Sequence, residues 1–209
     1  MEYERPAPGE ELNEEDEPTE PRQAASVIVI RGEGAGLEVL LVRRNPEMRF
    51  MGGFWVFPGG AVDPREGEGD EAHRMAAVRE LAEEAGVEGV EASELVKFSQ
   101  WITPRQVEIR FDTHFFVAHL PEGATVTIDG SEIVDHRWYT PQAALEAHRA
   151  DELELVFPTV KHLEQLAAFG SARELVEYAG GREVEPVEPR VLIEGEVARV
   201  VLPGEPGYD

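Results

Sequence analysis

Residues 79–87 read RELAEEAGV, and they follow a glycine-rich turn, FPGGAVD at 57–63, that closes a run of β-forming residues at 54–58. On a helix, Glu80, Glu83 and Glu84 stand three and four residues apart and project from one face. Hard divalent cations such as Mg²⁺ take carboxylate oxygens and leave positions open for water and phosphate, so the segment outlines a metal site suited to phosphoanhydride hydrolysis. The competing account is a solvated helix face in a Glu-rich chain. At this chain's own Arg, Glu and Gly frequencies the pattern arises by accident on the order of 10⁻³ of the time.

Composition narrows the classes. A chain of 209 residues, 42% hydrophobic and 8% aromatic, is enough for one folded domain with a core. The formal net charge of -24 repels polyanions, which argues against nucleic acid or anionic membrane as a partner. A phosphate-bearing small molecule then needs metal ions and local arginines to be held. Only Lys97 and Lys161 are lysines, and the arginines suit forked recognition of phosphate. The lack of cysteine excludes disulfides, thiol nucleophiles and Cys-based zinc sites. No apolar run reaches membrane-spanning length, and MEYERPAPGEEL lacks the regions of a signal peptide, so the expected location is cytoplasmic.

Residues 1–24 are rich in Glu and Pro and read as a disordered tail, or else as an arm that docks on a partner subunit in a homodimer. The folded domain is placed at 25–209. SVIVI and LEVLLVR read as two strands joined by a glycine-rich turn, and FWVF as a third. A helix is expected from about Asp70 to Ala85, stopped by Gly86. VEIRFDTHFFVAHL, TVTID and VDHRWY read as strands, and Thr140-Pro141 as the cap of the next helix. Further helices are expected at 158–169 and 171–179, the second with a capping box in SARE. RVLIEGEVARVVLP reads as a hairpin turning near Glu194-Gly195, so that helices and hairpin together fill 157–203.

The loop-helix-loop at about 59–87 resembles the box of the Nudix hydrolases: Gly, five residues, Glu, seven residues, then Arg-Glu-U-x-Glu-Glu-x-Gly-U, with U aliphatic. Leu81 and Val87 fill the aliphatic positions, Gly86 matches, and Glu71 precedes Arg79 by the family interval. Gly60 then lies too far upstream, with PREGEGD at 64–70 lengthening the loop. The resemblance implies an α/β fold, the Nudix α/β/α sandwich with a mixed sheet. It implies Mg²⁺ or Mn²⁺ on Glu80, Glu83 and Glu84, and Arg79 orienting carboxylates. Glu71 supports Arg79 or polarises water. Glu132, in GSEIVDHRW, is either a fourth acidic ligand or a solvated loop residue. Glu83, Glu84 and Glu132 all remain open as general base.

Residues 40–60, LLVRRNPEMRFMGGFWVFPGG, resemble the signature of coenzyme A diphosphatases, and WITPRQVEIRFDTHFF resembles the peroxisomal branch acting on acyl-CoA. Such substrates carry several phosphate charges and call for arginines; Arg44, Arg49, Arg105 and Arg110 are the candidates, Arg49 foremost. Gly59 and Gly60, just before a helix, read as a phosphate cradle. His114 and His119 belong to a strand pattern with packing roles, and Trp55 and Trp101 stack on adenine or pack in the core. The expected activity is hydrolysis of the diphosphate in coenzyme A or acyl-CoA. The alternatives are a Nudix enzyme for NADH, ADP-ribose or dinucleoside polyphosphates, a nucleotide-sensing module without hydrolysis, and an interaction protein that uses its acidic tail.

Overall fold

A computed structural model of the chain describes residues 2–3, 11–13, 17–32, 36–194 and 197–208. In chain order the elements are β1 (Glu2–Tyr3), β2 (Arg22–Arg31), β3 (Glu38–Arg44), β4 (Trp55–Val56), β5 (Gly59–Ala61), α1 (Gly69–Ala85), β6 (Val96–Ile102), β7 (Phe111–His119), β8 (Ile133–Tyr139), α2 (Pro141–Arg149), α3 (Phe157–Leu166), α4 (Ala172–Gly180), β9 (Pro186–Val187), β10 (Arg190–Glu194) and β11 (Val197–Val201).

The main sheet runs β4-β3-β2-β7-β6-β9, with β5 added to β2 and β8 to β3. It is mixed, because β2 pairs with β7 in parallel from Arg22–Phe111 to Ile30–His119, while β2 with β5 and β3 with β8 are antiparallel. Side chains alternate across a strand, and here both faces are covered, so β2 is buried from Ala24 to Ile30 and apolar there apart from Ser26. Val27 and Val29 join Ala76, Ala77, Leu81 and Ala85 of α1 in one core. Ile28 and Ile30 join Leu163 of α3 and Leu175 of α4 in the other. The result is the α/β/α sandwich. Among the described residues no helix is long and apolar enough to cross a membrane.

Alanines on the buried stripe of α1 let its axis lie close to the sheet. Its C-terminus closes at Gly86, with φ 61° and its N–H on the Ala82 carbonyl. A Cβ there would also lie 2.6 Å from the Thr127 carbonyl oxygen, so glycine is required on both counts. This contact explains a correction. TVTID alternates like a strand, yet 125–129 is irregular, and the Thr127 N–H donates to the Ala85 carbonyl at 2.8 Å. The segment caps the helix instead of extending a sheet.

Three further readings change. The strand at 107–120 starts only at Phe111, and β6 is an additional strand beside it, with a register shift between Lys97 and Ser99. The capping box at SARE is halved: Ser171 Oγ accepts from the Glu174 N–H, but the Glu174 carboxylate takes the Gly170 N–H. The boundary at 24 moves as well, because Arg22–Ala24 are the first rungs of β2 and Leu12 bridges to Val107. Glu2 and Tyr3 also pair with β11, while residues 4–10 and 14–16 of the tail and the turn at 195–196 lie outside the described residues.

Candidate active site

A cavity of about 700 Å³ opens on the face of β2 and β7 that carries Ala24, Ser26, Thr113 and Phe115. One end is acidic. Glu80 and Glu84, one turn apart on α1, point into it, with Glu132 and Arg44 on the same wall. The remainder is apolar, lined by residues such as Leu12, Phe57, Trp101, Phe111, Val191 and Val200.

β5 brings the glycines against the helix. Gly59 pairs with Ser26 and Gly60 with Ala25. The Gly59 N–H donates to Glu84 Oε2 at 2.9 Å, and a Cβ on Gly59 would lie 2.4 Å from the Ala25 carbonyl oxygen. A methyl on Gly60 would lie 2.4 Å from Glu80 Oε1. Neither position has room for a side chain beside a fixed carboxylate.

Glu84 is 5% exposed. Burial pushes its carboxyl up to about 7, against the Gly59 N–H and the Arg44 charge, and the nearby carboxylates of Glu80 and Glu132 push the same way. Arg44 reaches it only at 3.5 Å, its Nε being committed to the Phe50 carbonyl. Burial also raises Glu80, although the Arg79 hydrogen bond opposes this. Buried, mutually repelling carboxylates are short of positive charge. Their hard oxygens fit Mg²⁺ or Mn²⁺. Among the described residues no three acidic or histidine side chains are grouped closely enough to hold a metal by themselves.

Arg79 is held on three sides. Nε donates to Glu66 Oε1 at 2.8 Å, Nη1 to Glu80 at 2.7 Å and to Glu83 at 3.1 Å, and Nη2 to the Ala61 carbonyl at 2.9 Å. Glu66, itself 9% exposed at its side chain, thus does what Glu71 was expected to do. Glu71 lies exposed on the first turn of α1. Counting explains the difference: five residues separate Gly60 from Glu66, the box interval, while twelve instead of seven separate Glu66 from Arg79. The insertion therefore follows the acidic residue, and both halves of the box are intact around it.

Other expected residues fall elsewhere. Glu83 is exposed on the rim beside Arg79 and does not line the cavity. Glu132 does, presented by a loop that Asp129 folds by accepting the N–H groups of Ser131, Glu132 and Ile133. Arg49 is exposed on the 46–53 turn and outside the cavity, to which Phe50 and Met51 turn instead. Arg110 is buried, and its guanidinium donates to Thr103 O, Thr19 O and Glu188 Oε1. It ties the N-terminal arm to the C-terminal segment and has no fork left for phosphate. Arg105 is drawn to the same Glu188. Trp101 packs in the core and also reaches the cavity, whereas His114 is buried in a stack with His73, ring centres 3.7 Å apart.

Comparison with known proteins identifies the family and the fold. The NUDIX domain model matches residues 20–158. An acyl-coenzyme A diphosphatase of Homo sapiens is 34% identical over 119 residues, 54% of this chain and 32% of that protein. A putative nudix hydrolase of Caenorhabditis elegans is 26% identical over 180 residues, 70% of this chain and 60% of that one. The chain thus spans less than two thirds of either relative. The crystal structure of a NUDIX hydrolase from Alicyclobacillus acidocaldarius superposes with a TM-score of 0.67 at 27% identity, covering 76% of this chain and 96% of that one.

Proposed function

The chain belongs to the NUDIX domain family, and from that premise we propose that it is a metal-dependent hydrolase cleaving the diphosphate of coenzyme A or its acyl thioesters. The observation that carries this reading is one cavity with carboxylates at one end and an apolar wall along the rest. A compact nucleotide leaves that wall facing water, whereas a pantetheine or acyl chain covers it, at about 25 cal/mol for each Å² of apolar surface. The activity named for the human relative points the same way.

Glu80 and Glu84 are the residues to hold the cation, Glu80 steadied by Arg79 and Glu84 by the Gly59 N–H. When bound, the ion supplies positive charge at the phosphate oxygens and makes water there more acidic. Arg44 adds a fixed charge on the same wall. Water attacks one phosphorus, the bridging P–O bond breaks, and the leaving phosphate keeps the bridging oxygen. Glu132 takes the water's proton, since its carboxylate lines the cavity and makes no hydrogen bond among the described residues.

Incubation with coenzyme A and Mg²⁺ should release 3′,5′-ADP and phosphopantetheine. The reading fails if neither Mg²⁺ nor Mn²⁺ supports turnover, or if an acyl-CoA loses its acyl group while the diphosphate stays whole.

A further inference from the structure

Acidic residues number 43 against 19 basic ones, so a cation without a partner is unusual in this chain. Pairs such as Arg31–Glu38, Arg74–Asp70 and Arg173–Glu177 are the rule. Arg190 lies over the Tyr208 ring. Among the described residues only the side chains of Arg22, Arg49 and Arg149 lack an ion pair, hydrogen bond or ring contact, and of these only Arg22 lines the cavity.

Its position is set by the sheet. Arg22 opens β2 opposite Phe111 and shares a face with Ala24 and Ser26, while Ser26 sits beside Gly59, whose N–H holds Glu84. Four residues of strand place its backbone about 13 Å from that acidic end. Phe111, its partner across the strand pair, lines the cavity with it. Arg44, the other arginine on the wall, is drawn to Glu84. The cavity therefore offers a cation to a second anion, set apart from the cleaved diphosphate.

We propose that Arg22 is a specificity-determining residue that binds a phosphate monoester on the nucleoside part of the substrate. A guanidinium takes phosphate oxygens through paired, charge-assisted hydrogen bonds. Arg22 thereby favours a nucleotide carrying a phosphate on its ribose over one without it. The inference rests on the diphosphatase reading only for which end of the substrate lies beside the metal.

The test is equilibrium binding by calorimetry, in Mg²⁺, of 3′,5′-ADP and of 5′-AMP to the wild type, R22Q, R22K and R149Q. The wild type should bind 3′,5′-ADP more tightly by about tenfold or more. R22Q should bring the two ligands within about twofold, R22K should keep part of the preference, and R149Q all of it. The Arg22 side chain is exposed, so its replacement leaves the core intact. A wild type that binds the two equally or binds neither, or an R22Q protein that keeps the preference, overturns the proposal. Turnover of coenzyme A is scored separately: preference without turnover rejects the hydrolase reading and leaves the Arg22 site standing, and turnover without preference does the reverse.

Discussion

The two ends of the cavity are built in opposite ways. At the acidic end the two carboxylates proposed to hold the metal, with the glycines beside them, come from one helix turn and the short strand laid against it, so Glu80, Glu84, Gly59 and Gly60 are within 26 positions of one another. The apolar end is gathered from Leu12, Val107, Val191 and Val200, the first and the last two lying outside the matched NUDIX segment. Under the proposed reading the metal-holding carboxylates sit on a local, rigid element, whereas the wall for the substrate's tail is gathered from segments far apart in the chain. Evolution can alter such a wall while the carboxylates stay fixed.

Glu84→Gln should break the contrast most severely. Removing a carboxylate from the metal end should lower kcat by about 10³-fold, or ~4 kcal/mol, with free coenzyme A and long-chain acyl-CoA affected alike. Stability against pH separates the ends next, because they titrate with opposite sign. Burial lowers His162, packed behind the apolar wall with Ser99 Oγ 2.6 Å from its Nε2, to about 3. The unfolded chain protonates below about 6.5 while the folded protein does not, so stability is whole above that value and lost as pH falls from it toward 3. Near pH 4 the loss is on the order of 3 kcal/mol, and H162L should flatten that limb of a Tm profile.

Glu84 acts the other way. Raised to about 7, it favours the metal-free fold below about 4.5 and takes stability away as pH rises through 7. Added Mg²⁺ should restore Tm on the alkaline side of the wild type and not of E84Q.

The next effect sharpens the acidic end. Glu66→Gln should cost about 10- to 100-fold in kcat by loosening Arg79 and, through it, Glu80, whereas Glu71→Gln should leave the rate within about twofold. Equal losses from both would restore Glu71 to the role. The smallest effect belongs to the far wall. Leu12→Asp should raise KM for a long-chain acyl-CoA by about 3- to 10-fold and leave kcat on free coenzyme A unchanged.

These contrasts also explain what could be read in advance. α1 was legible because its carboxylates, aliphatic positions and Gly86 stop all lie on one period. Glu66 was hidden because counting back from Arg79 crosses the insertion and lands on Glu71; counting forward from Gly60 lands on Glu66. Arg110 looked available because its partner Glu188 is 78 residues away, and only the folded chain brings them together. The same distance effect concealed Arg22, counted with the tail although it opens β2. β6 escaped because the bulge at Lys97/Ser99 spoils its alternation, and TVTID misled because the donor it offers goes to a helix end.

The most direct test of the account is kcat/KM for a series of acyl-CoA thioesters of increasing chain length, measured beside ADP-ribose with the products identified. Diphosphate cleavage throughout, with efficiency rising along the series and exceeding that for ADP-ribose, is the predicted result. A flat series, or preference for ADP-ribose, would contradict the pairing of an acidic catalytic end with an apolar selecting end.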